Sequence, residues 1–150
     1  MNELINFYQI TGLIGTSGQP TIKQFNMIAE SGYTVVINLS MHDSDNALIE
    51  EGSIVTSLNM NYVHIPVPFE SPLPSHLKDF FSVLDAFNGE KIFVHCALNA
   101  RVSAFMYKYL TLKKGFNTYD AQTTLLKKWL PTMDEKWKAI LKLDIDEIEL

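Results

Sequence analysis

Apolar and polar positions along the chain follow two periods, and they predict strands and helices in alternation. Residues 34–39 form an almost wholly apolar, β-branched run, which is typical of a strand covered on both faces in a parallel sheet. Residues 62–66 and 91–95 have the same character, and residues 8–15 form a weaker strand or hairpin that breaks at Gly12. The pattern predicts a mostly parallel central sheet of about four to five strands.

Helical periodicity fills the segments between these strands. Thr21 and Gln24 have the spacing of a capping box, and they open a helix that Gly32 ends. A second capping box, Thr132 with Glu135, opens the last long helix. Further helices are predicted at residues 47–58, 75–87, 101–114, 118–130 and 134–143. The acidic tail, residues 144–150, is expected to fray.

Strands that alternate with helices predict one α/β domain over residues 1–150, with helices flanking the sheet. In such sheets, ligands bind beyond the carboxyl ends of the parallel strands. The loops at those ends are residues 40–45, 67–74 and 96–101. We therefore expect these three loops to be neighbours around a single site.

Composition narrows the classes of function and of partner. Seventeen acidic against twelve basic residues give a net charge of −5, which argues against a surface for nucleic acid or an anionic membrane. A single cysteine excludes an internal disulfide framework and fits a reducing compartment. The first residues lack the pattern of a signal peptide, and no apolar stretch approaches the roughly 20 residues that span a bilayer. A cytoplasmic location is the expectation.

Cys96 and Arg101 are the only cysteine and the only arginine, and both lie on one predicted strand-to-helix turn. A helix that begins near Arg101 directs unpaired N–H groups and its positive dipole end at the turn. This potential favours a Cys96 thiolate nucleophile, and the planar fork of Arg101 suits two oxygens of a phosphate. The alternative is a buried structural cysteine. The remaining residues of the predicted anion-binding loop are Ala97, Leu98, Asn99, Ala100 and Val102.

Residues 95–101, in which a histidine and a cysteine precede a short loop and an arginine, resemble the signature of cysteine-dependent protein tyrosine and dual-specificity phosphatases. Residues 16–21, 32–39 and 62–67 are similar to the beta-lactamase-hydrolase-like phosphatases, a bacterial branch of that fold. The resemblance implies a cysteine-phosphatase fold and hydrolysis of phosphate monoesters through a phosphocysteine, without a cofactor. It implies a phosphorylated small molecule or phosphoprotein as partner, and a loop-bracing role for His95.

The loop departs from that signature. The signature has five residues between cysteine and arginine, with a glycine among them and Ser or Thr directly after the arginine. Here four residues intervene, none of them glycine, and Val102 follows Arg101, so that Ser103 comes one place late as a supporting residue. Rhodanese-type sulfurtransferases have the four-residue spacing and hold a cysteine persulfide. Sulfur transfer through a Cys96 persulfide is therefore one alternative, and a non-catalytic sensor of anions or phosphoproteins is another.

The general acid is the second departure. The resemblance implies an aspartate before the third helix, whereas residues 68–74 hold Glu70 as their one ionisable residue. Glu70 either protonates the leaving group, if burial keeps it protonated near neutral pH, or is a solvated loop carboxylate. Asp43 and Asp45 are the reserve candidates. No metal site is predicted, because ligand spacing is lacking among His42, His64 and His76.

Overall fold

The computed structural model describes residues 1 and 3–149 of the chain. The sheet contains β1 (Tyr8–Gln9), β2 (Ile14–Ser17), β3 (Val35–Asn38), β4 (Asn61–His64) and β5 (Ile92–His95). The strand order is β1-β2-β5-β3-β4, and all neighbours are parallel except β1 and β2, which form an antiparallel pair. The α/β fold with a mostly parallel sheet is thus confirmed. Because Ser17, Asn38 and His95 are register partners, three strands end side by side at one edge.

Seven α-helices connect and cover these strands in the described residues. Thr21 caps the first helix, and the reciprocal hydrogen bonds with Gln24 confirm the predicted capping box. None of the helices in this part of the chain is both long and apolar enough to cross a membrane. The helices are α1 (Ile22–Glu30), α2 (Glu51–Ser57), α3 (Pro74–Ala86), α4 (Ala100–Lys113), α5 (Thr124–Trp129), α6 (Glu135–Lys142) and α7 (Ile145–Glu149).

Successive side chains of the central strands enter two separate cores. Val36 and Phe93 pack with Phe25 of α1 and Val55 of α2 on one face of the sheet. The larger core on the other face contains the neighbours of these strand residues together with side chains of α3, α4, α5, α6 and α7. Side chains of a strand alternate between faces, so a wholly apolar strand is what two covered faces require. This double cover holds β5, and hence the loop after it, in place.

Helix boundaries differ from the predictions at three places. The helix predicted at residues 47–58 begins only at Glu51, because Glu50 is left-handed with φ of 60°. The helix predicted at residues 118–130 begins at Thr124 instead, with Thr123 as its cap, and a 3-10 turn follows it. The cap of α6 is Asp134, and Thr132 plays no part in it.

The acidic tail was expected to fray, but its described part forms α7. Ile148 is buried there against the larger core. The ammonium group of Lys108 donates hydrogen bonds of 2.9 Å and 2.6 Å to the carbonyl oxygens of Leu141 and Leu143, just before α7. A buried apolar residue and a lysine bound to the preceding carbonyls explain why this charged segment packs.

Candidate active site

Three loops meet at the carboxyl edge of the sheet and enclose a cleft of about 620 Å³. They are the loops after β3, β4 and β5, which the sequence predicted to be neighbours. Both reserve acids, Asp43 and Asp45, lie in this cleft with Glu70. The other lining residues are Met41, Ser44, Asn46, Pro68, Phe69, Ala97, Leu98 and Arg101.

The loop after β5 turns into α4 through a residue in the left-handed conformation. Asn99 has a φ of 74° and lies directly before Ala100, the first residue of α4. Glycine adopts this conformation most readily, and asparagine is among the few other residues that enter it often. Asn99 therefore supplies the backbone turn for which the phosphatase signature has a glycine. Its side chain is fully buried.

Carbonyl oxygens of this loop are bound from outside it. The carbonyl of Ala97 accepts hydrogen bonds from the backbone N–H of Gln19 at 3.0 Å and the side-chain amide of Asn46 at 3.1 Å. The carbonyl of Leu98 accepts one from the Asn6 side chain at 2.9 Å. Within residues 1 and 3–149, the N–H groups of residues 97–102 have no hydrogen-bond acceptor. The carbonyl groups of this loop are thus bound by residues outside it, while its backbone N–H groups lack acceptors at the start of α4. Unpaired N–H groups at the start of a helix are suited to bind an anion.

Close packing of residues 16–20 supports the same loop. A side chain at Gly18 would place its Cβ 2.5 Å from the Ala97 carbonyl oxygen, so only glycine fits there. The backbone N–H of Cys96 also donates to the Ser17 carbonyl at 3.4 Å. The segment after β2 therefore lies directly behind the anion-binding loop.

Cys96 is the first residue of the loop and is only 1% exposed. It is not among the residues that line the cleft, although Ala97, the next residue, is. Ser103, the predicted supporting residue, accepts a hydrogen bond from Thr123 and approaches the Asn99 side chain at 3.5 Å, so it packs behind the loop.

The guanidinium group of Arg101 enters the cleft from the first turn of α4. Its Nη1 donates a hydrogen bond of 2.9 Å to the Val67 carbonyl, and the group lies 5.9 Å from the ring centre of Phe69. The residue is 6% exposed. In the part of the chain that the structure describes, its other N–H groups have no partner. Arginine has five N–H donors, so several remain for an anion.

Phe69 and Glu70 are held beside Arg101 by the last long helix. Trp137 is fully buried, and its indole N–H donates to the Phe69 carbonyl at 2.7 Å. Lys136 donates to the Glu70 carbonyl at 3.1 Å. The Glu70 side chain is exposed, so the burial that would favour its protonated form is absent here. Glu70 lines the same cleft as Arg101.

His95 forms a buried contact with a carboxylate that the sequence did not indicate. Its Nε2 lies 2.7 Å from a carboxylate oxygen of Glu51, and both residues are almost fully buried. Burial opposes the ionisation of Glu51, but hydrogen bonds from His95, Gln19 and Tyr62 and the charge of His95 outweigh it and lower the Glu51 pKa. Glu51 is therefore a carboxylate when the protein is folded.

Glu51, Gln19 and Asn46 lie at the site without having been singled out in the sequence. Glu51 lay within a predicted helix, where a carboxylate is usually solvated. The available signal was Gly52, since a Cβ there would come within 3.1 Å of the Tyr62 ring. A glycine inside a helical pattern often marks such a close approach.

Among the described residues, no group of three His, Cys, Asp or Glu side chains is arranged to hold a metal ion.

The sequence matches one family along most of its length. Residues 11–136 match the family described as DSP-PTPase phosphatase fused to NAD+ kinase. A DUF442 protein of Shewanella putrefaciens CN-32, described as a candidate phosphatase, is 34% identical with a TM-score of 0.84, over 93% of this chain and 91% of that one. No curated protein matches the chain in sequence.

Two more distant structures share the fold. Tk-PTP in its active form has a TM-score of 0.73 at 18% identity, over 96% of both chains. The Pseudomonas aeruginosa protein TpbA, solved as a variant with phosphotyrosine, has a TM-score of 0.70 at 14% identity, over 97% of this chain and 88% of that one. At these identities the likeness concerns the architecture alone.

Proposed function

The chain belongs to the DSP-PTPase phosphatase family, and from this premise we propose that Cys96 is its nucleophile and Arg101 its phosphate-binding cation. Family membership makes the chain a phosphatase of the protein tyrosine phosphatase type, a phosphoric monoester hydrolase. The observation that supports the residue assignment is the loop itself. Its carbonyls are bound from outside, its amides are unpaired among the described residues, and Arg101 keeps free donors beside them.

The reaction follows from this arrangement in two steps. The Cys96 thiolate attacks phosphorus as the bond to the leaving oxygen breaks, and the phosphoryl group passes to sulfur. Arg101 and the amides of Ala97, Leu98, Asn99, Ala100 and Val102 stabilise the equatorial oxygens, where charge is greatest in the transition state. Water then attacks the phosphocysteine, phosphate leaves, and the thiolate returns. No cofactor takes part in either step.

Glu70 is the proposed general acid of the first step. It lies in the same cleft as Arg101, on the loop after β4. The Val67 carbonyl of that loop accepts a hydrogen bond from the Arg101 guanidinium. Its carboxyl group would give a proton to the departing alkoxide and then take one from the attacking water. Asp43 and Asp45, on the opposite loop of the cleft, are the reserve candidates.

The proposed substrate is a phosphorylated small molecule or a phosphoprotein. TpbA has been solved with phosphotyrosine, and an open cleft of about 620 Å³ in this chain accommodates a phosphorylated side chain. Inorganic oxyanions such as phosphate or sulfate would occupy the same loop. Because a catalytic thiol must remain reduced, we place the protein in a reducing compartment, the cytoplasm.

Turnover of p-nitrophenyl phosphate by the parent and by Cys96→Ser tests the assignment. We expect Cys96→Ser to have no turnover, because a serine hydroxyl is not ionised at neutral pH. We also expect a rapidly quenched parent reaction to contain phosphate on Cys96 by mass spectrometry. Circular dichroism of both proteins checks that the exchange leaves the fold intact.

The four-residue spacing of the loop favours the second candidate, sulfur transfer. It predicts a mass gain of one sulfur on Cys96 after incubation with thiosulfate and little phosphatase activity. Persulfidation without Cys96-dependent hydrolysis of any aryl phosphate would overturn the assignment of Cys96 to phosphate transfer. Binding of phosphate without either reaction would instead support a non-catalytic sensor.

A further inference from the structure

The walls of the cleft beyond the anion-binding loop carry acidic side chains. Asp43 and Asp45 lie on the loop after β3 and Glu70 lies on the loop after β4, whereas Arg101 is the one basic residue among the described residues that line the cleft. We propose that the enzyme selects phosphate monoesters whose leaving group carries a positive charge, and that Asp43 and Asp45 make this selection. The inference rests on the proposed function, because it names the substrate class of the same site.

The charge of Arg101 is taken up by the phosphate group itself. The residue is only 6% exposed and lines the cleft, and in the described part of the chain its guanidinium donates to the Val67 carbonyl alone. A buried guanidinium that keeps free donors towards a cleft is suited to an anion there. A phosphate monoester carries about two negative charges near neutral pH. Among the described lining residues, no further cation remains for a second anionic group.

The geometry of phosphoryl transfer directs the leaving group towards the acids. The attacking and leaving atoms lie roughly in line through phosphorus. With Cys96 at the start of the loop after β5, the leaving oxygen is on the side of the phosphate that faces away from that loop. The loops after β3 and β4, which carry Asp43, Asp45 and Glu70, bound the cleft on that side. A charge on the leaving group therefore lies among these three side chains.

The three acids are not neutralised by neighbours within residues 1 and 3–149. All three side chains are exposed, and the ion pairs of this part of the chain join other residues. Lys136 approaches the loop after β4, but its ammonium group donates to the Glu70 backbone carbonyl, and the residue does not line the cleft. Nor do the three acids form a group that is arranged to hold a metal ion. Their charge therefore acts on whatever molecule fills the cleft.

The cleft is small enough for both of its walls to act on one leaving group. A cube of about 620 Å³ has an edge shorter than the screening length of about 10 Å in 0.1 M salt. The acids weaken the binding of a phosphate dianion, and a cationic leaving group offsets this loss, whereas a second anionic group adds to it. Repulsion of the wrong substrate is a general source of specificity.

Apolar side chains complete the surface that the leaving group contacts. Phe69 and Leu98 line the cleft and are 38% and 57% exposed. Phe69 is stacked on Trp129, with ring centres 5.7 Å apart and an interplanar angle of 22°. These side chains suit the carbon skeleton of a leaving group, and an aromatic ring also attracts an ammonium group. The favoured leaving group is therefore a partly apolar alcohol or phenol that carries an amine.

Hydrolysis of three aryl phosphates with leaving groups of similar basicity tests the proposal. The para substituent is aminoethyl in the cationic ester, ethyl in the neutral ester and carboxyethyl in the anionic ester. At low salt we expect kcat/KM to decrease in that order, with a cationic-to-anionic ratio of at least about tenfold. The ratio should approach unity in 1 M salt, where the screening length is about 3 Å. The double variant Asp43→Asn/Asp45→Asn should lower the low-salt ratio at least about threefold.

The double variant Asp79→Asn/Asp146→Asn is the matched control. It removes the same two charges at exposed residues that do not line the cleft, so it should keep the parent ratio. An equal loss in this control would assign the preference to net charge and overturn the role of Asp43 and Asp45. Equal kcat/KM of the parent for the cationic and anionic esters would overturn the proposal, and so would a parent ratio in folded Asp43→Asn/Asp45→Asn.

The source of the positive charge is distinguished with tyrosine phosphopeptides that are flanked by lysine or by glutamate. We expect the parent to prefer the lysine peptide, and a preference for the glutamate peptide would contradict the proposal. A lysine peptide with a higher kcat/KM than the cationic aryl ester identifies a phosphoprotein as the substrate. A lower kcat/KM identifies a small phosphorylated amine.

Binding of the three esters to Cys96→Ser, measured by calorimetry, separates this proposal from the assignment of the nucleophile. We expect the same order of affinity, because the acids act on the bound ester whether or not it reacts. If Cys96→Ser keeps its turnover but the charge order holds, the assignment of Cys96 is wrong and the charge selection stands. If Cys96→Ser abolishes turnover but neither binding nor kcat/KM depends on the charge of the ester, the selection is wrong and the assignment of Cys96 stands.

Discussion

The side-chain amide of Asn99 donates a hydrogen bond of 2.7 Å to the backbone carbonyl of Asn6, a residue 93 positions earlier in the chain. Asn6 returns a hydrogen bond of 2.9 Å from its own side chain to the carbonyl of Leu98. The segment before β1 is thereby fastened to the anion-binding loop. Asn99 combines this cross-link with the left-handed backbone that the loop needs.

Replacing Asn99 separates these two roles. Asn99→Gly keeps access to the left-handed conformation but loses the side-chain hydrogen bonds, each worth about 0.5–1.5 kcal/mol. Asn99→Ala loses the bonds and also adds a backbone cost of about 1–2 kcal/mol. We expect unfolding free energy and vanadate affinity to decrease in the order parent, Asn99→Gly, Asn99→Ala. Urea denaturation and calorimetry measure the two quantities.

Asn6→Gly is the control for the asparagine series, since glycine tolerates the φ of 48° at that position. It removes the bond to Leu98 but retains the carbonyl that Asn99 binds, so its effect should be smaller than that of Asn99→Gly. Tight vanadate binding by Asn99→Ala, equal to that of the parent, would contradict the account of the loop.

The oxyanion affinity of Arg101→Lys tests bidentate binding. Lysine keeps the charge but has no planar pair of donors, and a lost charged hydrogen bond costs about 1.5–3 kcal/mol. We therefore expect phosphate and vanadate to bind roughly 10- to 100-fold more weakly by calorimetry. Lys138→Arg, an exchange at a partly exposed residue of α6 that does not line the cleft, should bind like the parent. If Arg101→Lys binds as tightly as the parent, Arg101 does not act as a bidentate clamp.

The dependence on the leaving group tests Glu70. An alkyl alkoxide needs a proton as it departs, whereas nitrophenolate leaves without one, and general acid help is worth roughly 10²- to 10⁴-fold. If Glu70 is the acid, Glu70→Gln should reduce kcat for alkyl phosphates at least about tenfold and change p-nitrophenyl phosphate turnover little. Equal and small effects on both substrates would exclude Glu70. Asp43→Asn and Asp45→Asn, measured in parallel, then identify any other acid in the cleft.

The stability of the protein should depend on pH through Glu51. Its partners in the folded state lower its pKa below the ordinary 4.5, although burial opposes this. The resulting stabilisation is complete above the unfolded pKa and is lost as pH falls through the folded one. Unfolding free energy, measured by urea denaturation between about pH 3 and 6, should therefore decrease towards acid. Glu51→Gln should flatten this decrease and Glu50→Gln should not; identical slopes in all three proteins would refute the linkage.

Local patterns were sufficient to predict the fold class, and they also singled out the loop that we propose holds the nucleophile. Burial of β3 and β5 on both faces requires continuous apolar side chains, and this requirement is visible in a few neighbouring residues. Cys96 and Arg101 are close in sequence, at the two ends of one short loop, so their spacing alone predicted an anion site. The capping box at Thr21 was predictable for the same reason, because it depends on residues three apart.

Tertiary structure alone decided which distant side chains support that loop. Glu51 contacts His95, which is 44 positions away in the sequence, and Gln19, which is 32 positions away. No periodicity in the sequence predicts such contacts. Glu51 also had to begin α2 instead of lying within it, which depends on the left-handed backbone of Glu50. Helix propensity could not predict that turn. Glu51 is therefore buried behind the loop after β5, while Glu70, for which the sequence left both a buried acid and a solvated carboxylate open, is exposed in the cleft.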